Sequence, residues 1–378
     1  MSGRLSTIGT TSSTLAATPT KSAVTKRQTS PVPGAGPATQ APIPINVLLG
    51  IPDDHCALVQ VVDEAKRIEF TLPGTANIGP YLSPQRFAAH ALFLQPGRPI
   101  PIRLVPGPLV NDVGDADISA GALGLVKQIA DQTARPCFNH PTEILRATRD
   151  EISRLLAGIP GLAVPRTIRI RETFPSDVRE TVHAAGLAYP ILIRVAGSHG
   201  TENMIRIETP EAMDRIAQLE REERPLYASE FRDFAGPDGM YRKFRIAVVG
   251  DEIFLRDFVV GKDWLLGEPR CIAAGDQEEH AQRASFDRDR GPRLLPLFRE
   301  IGRRLGLDFF GVDCSIDRDG QVLLFEASAA MPMLKKTPPS PNMWDESVAR
   351  ITGAVERLLA VPQKWRQFPR TLKIERMS

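Results

Sequence analysis

Asp313 and Glu326 lie in two short apolar stretches within residues 311–330, "GVDCSIDRDGQVLLFEASAA". An Asp319-Gly320 turn would join these stretches as a hairpin. In that register Arg318 faces Gln321, Asp313 falls opposite Glu326, Gly311 opposite Ser328 and Ser315 opposite Leu324. Like charges facing each other across a strand pair destabilise it, and a divalent cation between them reverses the sign. Hard oxygen ligands from only two or three side chains suit Mg²⁺, which keeps several waters and takes the rest of its shell from substrate phosphates. Alternation assigns Val312, Cys314, Ile316, Leu323, Phe325 and Ala327 to an apolar core face and leaves the acids on the other. The simpler reading is two solvated surface acids beside a basic neighbour.

A second hairpin carries the opposite charge. "YRKFRIAVVGDEIFLRDFVV" (241–260) turns at Gly250-Asp251, which places Arg245 opposite Arg256 with Lys243 on the same face of its strand. Phe244, Ile246, Val248, Ile253 and Leu255 form the other, apolar face. Guanidinium forks match phosphate oxygens. Arginines splayed into water are the simpler reading of this hairpin alone. Together, a carboxylate hairpin and a cationic hairpin point to a magnesium-bound polyphosphate. "IRVAGSHGTEN" (193–203) adds a turn in which Gly197 and Gly200 let backbone amides approach a phosphate, with Arg194 just before it. It is no P-loop, because no Gly-Lys-Ser/Thr follows, and His199 reads as an ordinary loop residue.

Several elements must position these groups. Over 45–140, short apolar runs ("INVLLGI", "CALVQVV", "RIEFTL", "PIPIRLVPG") precede a helical pattern in "SAGALGLVKQIADQTARP", which suggests an open α/β unit. Thr148 and Glu151 form a capping-box pattern for a helix carrying Ile152, Leu155 and Leu156, ended by Gly158 and Pro160. Strands are expected at 191–195, 204–208 and in "LYASEFRDF", with a helix opened by Thr209-Pro210. Residues 275–290 read as a polar linker, followed by helices in "RLLPLFREIGRRLGL" and over 345–360. No internal repeat is evident.

Composition excludes several classes. A formal net charge of +2 advertises no nucleic-acid-binding face. Cys56, Cys137, Cys271 and Cys314 form no Cys-x-x-Cys pair and read as free thiols of a reducing compartment. No run approaches the roughly 18 apolar residues of a membrane span. Residues 1–44 contain no Asp or Glu and are rich in Ser, Thr, Pro and Ala, so a disordered tail is expected. Such a start also resembles an organellar transit peptide.

The conjunction of motifs resembles the ATP-grasp superfamily, specifically its glutathione-synthetase-like branch of carboxylate–amine ligases. The matching segments are "FNHPTEILRATRDEISRLLAGIPGLAVPRT", "YPILIRVAGSHG", "DGMYRKFRIAVV" and "LGLDFFGVDCSI…LLFEAS". The resemblance implies an α/β (α+β) protein with five segments: a tail (1–44), an N-terminal open α/β domain (45–140), a central subdomain with the glycine loop (141–225), a C-terminal metal and nucleotide subdomain (226–360) and a basic tail (361–378). Nucleotide would be held between antiparallel sheets of two lobes. It further implies ATP with Mg²⁺, or Mn²⁺ in its place, held by Asp313, Glu326 and Ser328. Arg149, Arg194, Gly197, Ser198, Gly200, Glu230 and Phe231 would bind the nucleotide, and Lys243 and Arg245 would serve the acyl-phosphate site; Arg256, which the hairpin register sets opposite Arg245, is expected to be catalytic with them. The implied partners are small-molecule or peptide carboxylates and amines, in a cytoplasmic protein free of nucleic acid and membrane. Dimers are common in that family.

Three departures bear on activity. Ser328 stands where the family has Asn, Arg194 where it commonly has Lys, and "EIFLRDFVVGKDW" lacks the expected Pro-x-His. A nucleotide-binding protein without ligase activity is therefore the alternative from another class, and phosphoryl transfer to a hydroxyl a third.

Overall fold

The computed structural model describes residues 41–61, 68–98, 103–201, 203–266, 277–338 and 340–367. The expected tail up to residue 40, Cys271 and the basic tail from 368 lie outside the described residues. Among the described residues no helix is long and apolar enough to cross a membrane.

The N-terminal part of the chain contains β1 (Ile43–Gly50), β2 (Leu58–Val61), β3 (Ile68–Thr71), β4 (Phe87–Leu94), β5 (Leu109–Asn111), α1 (Ala120–Thr133) and β6 (Cys137–Phe138). Four of these strands form a parallel sheet in the order β4-β1-β5-β6. "INVLLG" is apolar almost throughout because β1 is a central strand, covered on both faces. The chain leaves β1 for β4 on one side and returns to β5 on the other. β2 and β3 pair as a separate antiparallel ribbon. The β4 sequence, "FAAHALFL", is strand although its apolar residues do not alternate cleanly. No strand occupies 103–107, the described part of "PIPIRLVPG".

The second lobe follows with α2 (Pro141–Leu145), α3 (Arg149–Leu156), β7 (Leu162–Ala163), β8 (Thr167–Ile170), α4 (Pro175–Ala184), β9 (Ile191–Val195), β10 (Met204–Ile207) and β11 (Leu226–Glu230). Its antiparallel sheet has the order β10-β9-β11-β8. Alternation in β9 sends Ile191, Ile193 and Val195 into a private core with Val178 and Val182 of α4, leaving Leu192 and Arg194 for the opposite face. The helix opened by Thr209-Pro210 is 3₁₀ rather than α, and still buries Met213 and Ile216 in that core. The expected capping box does not form. The Thr148 hydroxyl donates to Asp150 (2.7 Å), and Glu151 pairs with Arg154 (2.7 Å).

The third lobe holds β12 (Tyr241–Val249), β13 (Glu252–Gly261), α5 (Gln277–Ser285), α6 (Gly291–Leu305), β14 (Phe309–Ile316), β15 (Val322–Ser328) and α7 (Asp345–Leu359). Its sheet order is β13-β12-β14-β15-β7. The described part of the stretch expected as a polar linker, 277–290, is helical: α5 leads through a π turn at 286–290 directly into α6. Buried Phe286 and an Arg242–Glu278 ion pair at 2.6 Å supply the tertiary contacts that its polar sequence conceals.

Both hairpins contain β-bulges, and these revise the expected registers. In β12–β13 the pairing slips between Arg245 and Ile246, so Arg245 lies opposite Asp257 and Arg256 is the extra residue. Arg256 therefore does not face Arg245. Its guanidinium is buried and donates to the carbonyls of Met333 (3.1 Å) and Lys335 (2.6 Å) and to the Thr337 hydroxyl (3.1 Å). In β14–β15 the tip is a longer loop than expected, closed by Ile316 opposite Val322, and Ser315 faces Leu323 rather than Leu324. A bulge between Asp313 and Cys314 makes up the difference. Asp313 lies opposite Glu326 and Gly311 opposite Ser328, as the sequence predicts. Phe325 is the extra residue there. Accordingly Val322 and Leu324 join Val312, Cys314, Ile316 and Ala327 in the core, while Leu323 and Phe325 leave the expected core face.

Replacing Arg256 by Met should cost about 2–4 kcal/mol of unfolding free energy, because three acceptors lose a charged donor in a buried setting. Urea titration checks this, and an unchanged unfolding free energy would contradict the structural role of the buried guanidinium.

Candidate nucleotide site

A cleft runs between the inner face of the β8–β11 sheet and the β12–β15 sheet, with α3 closing one side. Its two ends differ in chemistry. At one end Leu323 and Phe325 form an apolar floor, and the Phe325 ring packs on Phe234 with centroids 4.7 Å apart. Phe231 and Trp264 meet edge to face at 5.4 Å, and the Arg206 guanidinium lies 3.9 Å over the Phe231 ring. A flat π-system fits such walls.

The other end is ionic. Arg245 grips Asp313 with a two-pronged fork (Nε–Oδ1 2.8 Å, Nη2–Oδ2 2.9 Å), and Lys243 Nζ stands 3.4 Å from Oδ2. Arg149, the first residue of α3, reaches across the cleft to Glu326 (2.8 Å) and donates to the Phe325 carbonyl (3.3 Å). The like-charge opposition of Asp313 and Glu326 is thus compensated by a separate cation on each. Arg194 folds onto the glycine turn, donating to the carbonyls of Ser198 (3.1 Å) and Gly200 (2.7 Å). Burial and the neighbouring Arg149 charge lower its pKa to about 9, against the pull of Glu326. Burial would raise the Glu326 carboxyl, but Arg149, His199 and Arg194 outweigh it and hold the group at about 2. Among the described residues, five basic side chains (Arg149, Arg194, Arg232, Lys243, Arg245) line the cleft against three acids (Glu230, Asp313, Glu326). That surplus of positive charge favours a polyanion.

Gly200 lines the cleft, whereas Gly197 and Ser198 do not; Gly197 packs on Ile118, and the Ser198 hydroxyl donates back to Val195 (2.6 Å). Glu230 and Phe231 line it at the end of β11, Glu230 paired with Arg232 (2.9 Å) and the Phe231 amide donating to Pro190 (3.0 Å). Ser328 follows Glu326 on the same strand, outside the lining, and its hydroxyl accepts from the Ala330 amide (3.1 Å). Sequence reasoning missed Trp264, Leu265 and Leu266, which cover the apolar end, and it assigned Phe325 to the core. A short apolar run beyond a strand has no periodicity that would reveal its role.

The donor set suits a hard cation. Among the described residues no group of three or more His, Cys, Asp or Glu side chains gathers to cage a metal. An ion here would be held by two carboxylates and completed by water and phosphate, which is the Mg²⁺ or Mn²⁺ pattern. An ionised carboxylate has about four lone-pair sites, so the Asp313 fork leaves acceptor capacity for an ion.

No protein-family model matches the sequence, and no curated protein is similar enough in sequence to count as a relative. Solved structures are similar in fold. The VanG D-Ala:D-Ser ligase from Enterococcus faecalis is 12% identical, with a TM-score of 0.50 over 85% of this chain and 99% of that one. The D-alanine-D-alanine ligase from Coxiella burnetii is also 12% identical, with a TM-score of 0.50 over 85% of this chain and 97% of that one. Such identities speak to fold alone. The chain has the ATP-grasp fold.

The Glu326 pKa carries a prediction. A carboxyl held below its ordinary value of 4.5 adds stability that is fully present above that pH and fades as pH falls toward 2. Glu326→Gln should be less stable than the unaltered chain by about 3 kcal/mol at pH 7. The gap should narrow as the pH of the urea titrations drops below 4.5. A gap that stays constant down to acid pH would contradict the ion-pair assignment.

Proposed function

We propose that this chain is an ATP- and Mg²⁺-dependent ligase that activates a carboxylate and joins it to an amine. The observation that carries the reading is the joining, in one cleft, of an aromatic end to a cationic end holding the Asp313–Glu326 pair. Adenine would lie between Phe231, Phe325 and Trp264, with the phosphates extending toward Arg149, Arg194, Lys243 and Arg245. Asp313 and Glu326 would hold the metal, which supplies neutralisation of the phosphate charge when bound.

The chain's own residues then do little covalent work. Positioning and electrostatic stabilisation dominate phosphoryl transfer. A substrate carboxylate oxygen attacks the γ-phosphorus and ADP leaves, giving an acyl phosphate. An amine attacks the acyl carbon, phosphate departs and the amine loses a proton. Arg245 and Lys243 stand on the same strand face as the acid pair, where they can steady the transferred phosphoryl group. The two structures sharing the fold are named as ligases of D-alanine with a second amino acid. An amino acid or short peptide acid is the matching substrate class here.

A second reading, nucleotide binding without ligation, has one observation in its favour. Ser328, which replaces the expected Asn, already accepts a hydrogen bond from the Ala330 amide, which takes up one of its lone pairs.

The test is ADP release from Mg·ATP with pooled amino acids and short peptides. The unaltered chain should release ADP and phosphate in equal amounts. Asp313→Asn or Glu326→Gln should reduce turnover by at least about a hundredfold. Turnover at the original rate in either variant would remove the metal assignment. Nucleotide binding without turnover, in both the unaltered chain and Ser328→Asn, would establish the second reading. ADP without free phosphate would indicate transfer to a hydroxyl.

A further inference from the structure

Among the described residues, none ahead of Arg149 lines the cleft. The N-terminal domain nevertheless grips it from outside, through the loop that follows β5. Asp115 is 8% exposed; its Oδ1 accepts the Asp117 amide (2.7 Å) and its Oδ2 faces His199 Nε2 at 2.9 Å. His199 belongs to the glycine turn between β9 and β10, and its other ring nitrogen lies 4.0 Å from Glu326 Oε1. Two residues back, Gly197 has a φ of +72° and sits so close to Ile118 that a Cβ would collide with it. Asp117 accepts from the Tyr227 hydroxyl (2.9 and 2.8 Å) and pairs with Arg169, so the same loop is also fixed to the second lobe's sheet.

From the cleft side the turn is held differently. Arg194 donates to the carbonyls of Ser198 and Gly200. A guanidinium donor spent on those carbonyls is not available to a phosphate, and one turned to a phosphate releases the turn. Gly197 and Gly200 both have positive φ, so the released turn has many conformations open to it. The Ser198 bonds to Val195 then hold only the start of the turn, and the outer contacts hold the part that carries His199.

We propose that His199 and Asp115 are positioning residues, which hold the glycine turn closed over the terminal phosphate and tie the N-terminal domain to the metal-binding carboxylate Glu326. This rests on reading the cleft as a nucleotide site. Neither side chain lines the cleft. Their effect is exerted through the turn, whose Gly200 and Thr201 do line it.

The test measures Kd of the full chain for Mg·AMP-PNP and Mg·ADP by calorimetry, alongside hydrogen exchange at amides 198–201. Asp115→Asn and His199→Gln should each weaken Mg·AMP-PNP binding about five- to tenfold and Mg·ADP binding less than about twofold. The double variant should be no weaker than either single one, because the two groups act as one contact. Exchange at the turn should quicken in all three. His199 is half-exposed, so its variant keeps the test open if the buried Asp115 substitution impairs folding. Unchanged Mg·AMP-PNP binding with unchanged exchange would overturn the proposal. Equal weakening of both nucleotides, or effects that multiply in the double variant, would also overturn it. Failure of the unaltered chain to bind either nucleotide would instead sink the nucleotide reading, and this inference with it.

Discussion

A row of four charged residues crosses the third sheet: Asp257 on β13, Arg245 on β12, Asp313 on β14 and Glu326 on β15, each opposite the next. The row is tolerable because cations are interleaved with it. Arg245 sits between two of the acids, Lys243 approaches Asp313, and Arg149 reaches Glu326 from α3. At an effective dielectric near 20, a unit charge 4 Å away is worth about 4 kcal/mol, so these neighbours offset the repulsion along the row and hold the Glu326 carboxyl low. Asp257 shows the opposite case: buried deeply, it has its pKa raised to about 6 despite Arg256 and Arg245. Much of the site's geometry follows from holding Asp313 and Glu326 adjacent, each against its own cation.

The two bulges fall at this row. In an unbulged β12–β13 pair, Arg256 would stand opposite Arg245 and add another cation to the cleft face. The slip instead puts Asp257 there and withdraws Arg256 to clamp residues 333–337. The bulge in β15 gives Phe325 to the cleft while keeping Leu324 in the core. One sheet irregularity therefore sets the charge of the site and the other its aromatic floor. Bulges near functional sites commonly re-aim side chains in this way.

Legibility from sequence divided along the same line. Two-residue alternation was sufficient to pair Asp313 with Glu326 and to bring Lys243 and Arg245 to the face that meets them. That pairing survived a wrong turn length at the tip because the bulge restores the register before Asp313. Arg256 and Phe325 were misplaced because an extra residue in a strand leaves no mark on hydrophobic period. The helix at 277–285 was hidden by polarity, since its partners, such as Arg242, lie far away in the chain. The same holds for Asp115 and His199, which meet only once three separate parts of the fold have assembled.

The proposed ligase requires a divalent ion shared by two facing carboxylates and a nucleotide. The most direct measurement is anomalous diffraction from crystals of the chain grown with Mn²⁺ and AMP-PNP. A peak roughly 2.0–2.2 Å from carboxylate oxygens of both Asp313 and Glu326, bridging to phosphate oxygens, is the expected result. Nucleotide bound in the cleft with the metal held elsewhere, or with no metal between those two residues, would contradict it.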